Sequence, residues 1–106
     1  MIIPTYNRHF YLKRAIDSVL KQTIHVECIV VNDASTDNTL DLLNSYKDKI
    51  TIINLETNKG VSAARNVGVA HSTGNWIAFL DSDDEWLPKK LEHQVIHLNH
   101  RPFYFI

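Results

Sequence analysis

Four short apolar runs alternate along the chain with four segments of helical period: Met1–Pro4, Val26–Asn32, Ile50–Leu55 and Trp76–Asp81 are the runs. Strand-then-helix alternation of this kind predicts repeated βα units around a parallel sheet. Two runs, Glu27-Cys28-Ile29-Val30-Val31 and Trp76-Ile77-Ala78-Phe79-Leu80, are apolar without alternation. Strands of that type are covered on both faces, so both are expected at the centre of the sheet.

Between the runs, Leu12, Ala15, Ile16, Val19 and Leu20 form one apolar stripe of a helix that begins near Arg8 to Phe10. Ser35-Thr36-Asp37 provides capping groups, and an acid at the positive end of the dipole, for a second helix carrying Leu40, Leu43 and Tyr46. A third helix is predicted over Val61–Ala70, where Ala63, Ala64 and Gly68 are small enough to pack closely on a sheet. Pro88 opens a fourth, with Leu87, Leu91, Val95 and Leu98 on one face. The tail from Arg101 to Ile106 reads as the start of a fifth strand. With no repeat, low-complexity stretch or linker, residues 1–106 are read as a single α/β domain, mainly a parallel sheet flanked by helices. Its first strand has only three residues before Pro4 and its last one stops short, so the chain is expected to be part of a longer domain.

Composition narrows the function classes. The chain has 106 residues, 44% hydrophobic and 22% charged, enough to fill a core and unlike a disordered segment. Eleven Lys and Arg against twelve Asp and Glu give a net charge of -1, which excludes the basic excess of a nucleic-acid binder. No apolar run approaches the ~18 residues of a membrane span, and no signal-peptide stretch opens the chain. The single cysteine, Cys28, lies inside an apolar run and reads as an inert core thiol in a reducing compartment. A cytoplasmic location is therefore expected, with membrane association only through regions or partners outside this sequence.

Ligands of open parallel sheets bind beyond the carboxyl ends of the strands, and the residues there are rich in chemistry. Pro4-Thr5-Tyr6-Asn7-Arg8 follows the first run and Asn32-Asp33-Ala34-Ser35-Thr36-Asp37 the second. Glu56-Thr57-Asn58-Lys59-Gly60 follows the third and leads to Arg65 and Asn66. Asp81, Asp83, Asp84 and Glu85 then crowd four carboxylates into five residues, a repulsion that a divalent cation would relieve. Hard oxygen ligands point to Mg²⁺ or Mn²⁺, and an ion of that type completes its shell with water and phosphate oxygens, so a diphosphate is its natural partner. The alternative is a solvated acidic loop whose last acids favour the dipole of the fourth helix.

Asp33, ionised, only accepts hydrogen bonds; facing a base it would suit the imide N–H of uracil or thymine, or the donors of guanine. Tyr6 could stack on the same base. Against these stand a helix-capping Asp33 and a Tyr6 ring packed under its loop. Arg65 could meet phosphate at the same edge, or simply be a solvated arginine. His93, His97 and His100 share a helical face but lack a carboxylate partner, and read as a wet surface rather than a metal site. Trp76 and Trp86 read as packing residues, the latter close enough to the acids to wall a site.

Five motifs in order carry a resemblance. Ile2-Ile3-Pro4-Thr5-Tyr6-Asn7, Ser18-Val19-Leu20-Lys21-Gln22-Thr23, Val30-Val31-Asn32-Asp33-Ala34-Ser35-Thr36-Asp37, Asn58-Lys59-Gly60-Val61-Ser62-Ala63-Ala64-Arg65-Asn66 and Phe79-Leu80-Asp81-Ser82-Asp83-Asp84 closely resemble the GT-A glycosyltransferases of family 2. The resemblance covers the N-terminal, nucleotide-sugar-binding half of that family's catalytic domain, a Rossmann-like GT-A half. It implies transfer of a sugar from a nucleoside diphosphate sugar, a UDP-sugar favoured, to a hydroxyl of a saccharide or lipid-linked acceptor, with Mn²⁺ or Mg²⁺ and with inversion, as in polysaccharide biosynthesis.

Residue by residue, the resemblance implies that Pro4, Thr5 and Tyr6 border the nucleoside pocket, Asp33 bonds the base and Arg65 lies near the nucleotide. Asp81-Ser82-Asp83 would be the DXD motif, with Asp83 the principal metal ligand and Asp81 toward the ribose and the metal's water shell. The sequence departs from the family at Asn32, where relatives commonly carry a second Asp; the change is expected to tune the pocket. No residue matches the acid that deprotonates the acceptor, so the alternative is a nucleotide-sugar-binding fragment without useful catalysis. A receiver-like signalling domain would need a Lys and a Ser or Thr on later strands, and a nucleotidyltransferase a Gly-rich phosphate loop, neither of which is present.

Overall fold

The computed structural model describes residues 1–74 and 76–98. The predicted fifth strand and His100 lie outside the described residues, as do the side chains of Val95, His97 and Leu98. Three parallel strands, β1 (Ile2–Thr5), β2 (Ile29–Asn32) and β3 (Thr51–Asn54), form a sheet in the order β1-β2-β3. Four helices complete the described chain: α1 (His9–Leu20), α2 (Thr39–Asn44), α3 (Val61–His71) and α4 (Lys90–Leu98).

The sheet's central strand is buried because helices cover both of its faces. Ile29 and Val31 pack with Ile2 and Ala64 on the α3 side. Val30 and Cys28 face the opposite way, among Ile3, Leu12, Ala15, Ile16, Val19 and Leu43. The uninterrupted apolar run of β2 is thus two alternating faces, each with its own cover. Burial pushes the Cys28 thiol up to about 12, so it stays protonated, in keeping with an inert core residue.

Two expectations need correction. The fourth run, predicted as a central strand, instead makes only an isolated parallel bridge, Ile2↔Phe79, beside β1 and is not among the three strands of the described sheet. The Ile2 N–H donates to the Ala78 carbonyl at 2.8 Å and the Leu80 N–H to the Ile2 carbonyl at 3.1 Å. The next β1 residue facing that way is Pro4, which has no N–H to donate, and the ladder ends there. The second correction concerns residues expected on apolar helix faces: Leu40 of α2 is 43% exposed, Leu20 at the end of α1 37% and Leu87, ahead of α4, 80%. The buried face of α2 is Thr39 and Leu43, one turn apart, which turns Leu40 outward.

Close packing of α3 follows expectation. A Cβ placed on Gly68 would lie 2.5 Å from Ile2 Cγ2, so only glycine lets the helix approach β1 at this point. On the other side, Asp17 of α1 accepts a hydrogen bond from Tyr46 Oη, in the turn after α2, at 2.6 Å and one from Lys13 Nζ of its own helix at 2.7 Å.

Candidate functional site

The strand ends open into a cleft of about 330 Å³. β1 delivers Pro4 and Thr5 to it and the following turn Tyr6; Asp33 comes from the end of β2, and Asp81, Ser82 and Asp83 follow the fourth run. Every residue expected in the nucleotide and metal sites except Arg65 lines this one cleft. Arg8, Val61 and Ala64 complete the lining and were not anticipated as site residues. Arg8 stands directly after the quoted first motif; the other two carry no chemical signal in a sequence.

Thr5 is 3% exposed, and its Oγ1 has no hydrogen-bond partner among the described residues. A buried hydroxyl without a partner is costly unless something else satisfies it, which makes this atom the clearest sign of a ligand in the cleft. Tyr6, by contrast, is 43% exposed, so it is not packed beneath its loop and its ring is free to stack.

The turn that presents Tyr6 is bolted to its neighbour through Asn7. Its Oδ1 accepts the N–H groups of Thr36 at 2.8 Å and Asp37 at 3.3 Å, and its own N–H donates to Ser35 Oγ at 3.0 Å. Asn7 also holds φ at +50, a conformation that asparagine tolerates better than most residues. Next to it, His9 Nδ1 lies 3.0 Å from Asp37 Oδ2. Partial burial works to raise the Asp37 pKa, but hydrogen bonds from Thr39 and His9 outweigh it and hold the carboxyl at about 2.

Asp33 is only 3% exposed. Its Oδ1 accepts the Lys59 N–H at 2.8 Å and its Oδ2 the Gly60 N–H at 2.9 Å. It therefore anchors the loop before α3 rather than capping the helix that follows it, α2. Each oxygen of a carboxylate has a further lone pair, so Asp33 can still accept from a ligand. Asn32 supports this turn: its Oδ1 accepts the Ser35 N–H at 3.1 Å and its Nδ2 donates to Asn54 Oδ1 at 3.0 Å. Ala34 between them sits at φ +61, a strained conformation for alanine.

The acidic segment is held from two sides. Arg65 Nη2 lies 3.1 Å from Asp81 Oδ1, with its Cζ 5.6 Å from the Phe79 ring centroid, so Arg65 stands beside the cleft and braces its acidic wall. Arg14 of α1 donates from Nη2 to the Asp83 carbonyl at 2.9 Å, a contact the sequence did not reveal. Among the described residues no group of three or more His, Cys, Asp or Glu side chains is placed to hold a metal ion. Asp81 and Asp83 nevertheless fit Mg²⁺ or Mn²⁺, because such ions commonly take one or two carboxylates and complete their shell with phosphate and water. His93 is exposed, in line with the wet helical face expected there.

A parallel sheet whose strand ends gather a nucleoside-sized cleft and an Asp-Ser-Asp segment is the architecture of GT-A glycosyltransferases. The profile of glycosyl transferase family 2 matches residues 1–106, and the chain belongs to that family. Among its relatives, the Escherichia coli UDP-Glc:alpha-D-GlcNAc-diphosphoundecaprenol beta-1,3-glucosyltransferase WfgD is 41% identical over 97 residues, 90% of this chain and 38% of WfgD. The structure of S. aureus TarS 1-349 in complex with UDP-GlcNAc is 33% identical, with a TM-score of 0.86 over 93% of this chain and 30% of that one. The mannosyltransferase PcManGT from Pyrobaculum calidifontis shares the fold, with a TM-score of 0.78 at 24% identity. The chain thus spans well under half the length of these relatives.

Proposed function

We propose that this chain forms the donor-binding part of an inverting glycosyltransferase that moves a sugar from a nucleoside diphosphate sugar, preferably a UDP-sugar, to an acceptor hydroxyl. The observation that carries this reading is the unpartnered Thr5 Oγ1 in a cleft that also holds Tyr6, Asp33 and Asp83. UDP and UDP-GlcNAc in the TarS complexes, and UDP-Glc in the name of WfgD, support the choice of nucleotide.

In this reading Tyr6 stacks on the base, the spare lone pairs of Asp33 accept its imide N–H, and Thr5 Oγ1 bonds the nucleoside. Asp83, with Asp81 toward the ribose, would hold Mn²⁺ or Mg²⁺. When bound, the ion supplies Lewis-acid stabilisation of the charge on the departing diphosphate. Arg65 keeps Asp81 oriented, and Arg14 keeps the Asp83 backbone in place. The diphosphoundecaprenol acceptor in the name of WfgD supports a lipid-linked or saccharide acceptor, and hence work at the cytoplasmic face of a membrane. No helix among the described residues is long and apolar enough to cross one.

A thermal-unfolding panel with UDP, dTDP, GDP and ADP, each with Mn²⁺ and with EDTA, tests the reading. A ligand at 100 times its Kd stabilises by about 2.7 kcal/mol, a large shift for a domain of this size. Metal-dependent stabilisation by UDP is expected; a cooperative transition that no nucleotide moves would overturn the donor site. A second reading is donor binding without useful transfer. Release of UDP from UDP-sugar, with and without acceptor, separates the two.

A further inference from the structure

Arg8 is the N-terminal boundary residue of α1, and its carbonyl accepts the N–H groups of Tyr11 at 3.0 Å and Leu12 at 2.9 Å. The preceding residue, Asn7, is bolted to the β2–α2 turn, so the backbone that presents Arg8 is fixed. Arg8 is exposed and lines the cleft, yet among the described residues its side chain makes no hydrogen bond or ion pair. This is unexpected, because the same cleft carries the carboxylates of Asp33, Asp81 and Asp83.

The other arginines nearby are engaged. Arg65 holds Asp81 and Arg14 holds the Asp83 carbonyl, with its Nε 3.8 Å from Glu85. The first turn of α1 contains no acid of its own, and the one carboxylate at its start, Asp37, is engaged by His9 and Thr39. An unpaired arginine in a cleft with the orphaned and buried Thr5 hydroxyl is arranged for an anion with several oxygens.

Resting on the donor-site reading, we propose that Arg8 binds the diphosphate of the nucleotide, forming charge-assisted hydrogen bonds to its oxygens. Arg8 then confers preference for phosphorylated over unphosphorylated nucleosides, a contribution separate from base recognition by Tyr6 and Asp33. It also remains on the diphosphate as the sugar leaves, and so favours the charge that develops there.

The test is calorimetric titration of the full chain with uridine and with UDP, each in EDTA and in Mn²⁺, for the unsubstituted protein, Arg8→Ala and Arg8→Lys. The unsubstituted chain should prefer UDP, and Arg8→Ala should shrink the UDP-to-uridine affinity ratio by about tenfold or more, the effect of losing a hydrogen bond to a charged group. Arg8→Lys should recover part of that ratio, because the cation is kept while the bidentate fork is lost. An unchanged ratio in Arg8→Ala, or an equal fall for uridine and UDP, would overturn the role of Arg8 while leaving the donor site standing. Failure of the unsubstituted chain to bind either compound would overturn the donor site and this role with it. A melting curve of each variant accompanies the titrations, and an exposed residue such as Arg8 should leave it unmoved.

Discussion

Asp33 Oδ2 accepts the Gly60 N–H at 2.9 Å across 27 residues of chain, so the end of β2 is fastened to the loop that starts α3. One carboxylate therefore both lines the cleft and sets the shape of its wall. Asp33→Ala leaves the Lys59 and Gly60 N–H groups without their acceptor, and a loss of about 1–3 kcal/mol in urea unfolding is expected. A variant as stable as the parent would show that this anchor contributes nothing. In the same variant, nucleotide preference should flatten, which a UDP-against-ADP titration reads independently of stability.

Gly60 itself is a separate case. Its φ of +90 and ψ of 164 lie in a region that is essentially glycine's alone, while a Cβ at this position would meet nothing within 4 Å. Gly60→Ala should thus cost about 1–3 kcal/mol through backbone strain alone. A cost below about 0.5 kcal/mol would mean that the loop relaxes to another conformation, and weaker nucleotide binding should then accompany it, since Asp33 would lose its anchor.

Much of this architecture was legible because local pattern and tertiary role agree. The stripe through Leu12, Ala15, Ile16 and Val19 is buried as its spacing requires, with Leu20 at its end exposed, and the strand-end rule picks out Thr5, Tyr6, Asp33 and Asp83, which line one cleft. Less legible were features that depend on pairing across the chain. The loss of a ladder bond at Pro4 depends on which neighbour Pro4 faces, and the anchoring of Lys59 and Gly60 by Asp33 depends on a loop 26 and 27 residues away. Arg14 reaches Asp83 over a separation of 69 residues, for which a single sequence has no periodic signal.

Gly68 tests the helix–sheet approach. A Cβ there would stand 2.5 Å from Ile2 Cγ2 and 3.2 Å from its Cγ1, so Ile2, fully buried in β1, has to move. Gly68→Ala should destabilise by about 1–3 kcal/mol despite alanine's better helix propensity, since overpacking a close contact outweighs it. Because Ile2→Ala removes both γ carbons, Gly68→Ala should cost less in an Ile2→Ala background than in the parent. An equal cost in the two backgrounds would sink the proposed contact.

The pH dependence of stability should show the mark of Asp37. Its folded pKa of about 2 is below the ordinary 3.8, so its contribution is present above pH 3.8 and is lost as pH falls through the folded value. Asp17, lowered by its bonds from Lys13 and Tyr46 in spite of its partial burial, acts in the same direction. Urea midpoints from pH 7 to pH 2 should thus decline most steeply below about pH 4. Asp37→Asn should be less stable at pH 7 and flatter below pH 4. A parallel decline in parent and variant would exclude the Asp37 network from the acid response.

Asp83 carries the most direct prediction for the site. It is exposed at the cleft, its carbonyl is held by Arg14, and its carboxylate is left available for a cation. Asp83→Ala should abolish the Mn²⁺-dependent part of UDP binding while leaving the metal-free part and the melting temperature close to the parent's. Asp84, one position on, provides the contrast: its Oδ1 accepts the Glu85 N–H at 2.9 Å, and Asp84→Ala should have little effect on metal-dependent binding. Unchanged UDP affinity in Mn²⁺ for Asp83→Ala, or an equal loss for Asp84→Ala, would refute Asp83 as the principal ligand.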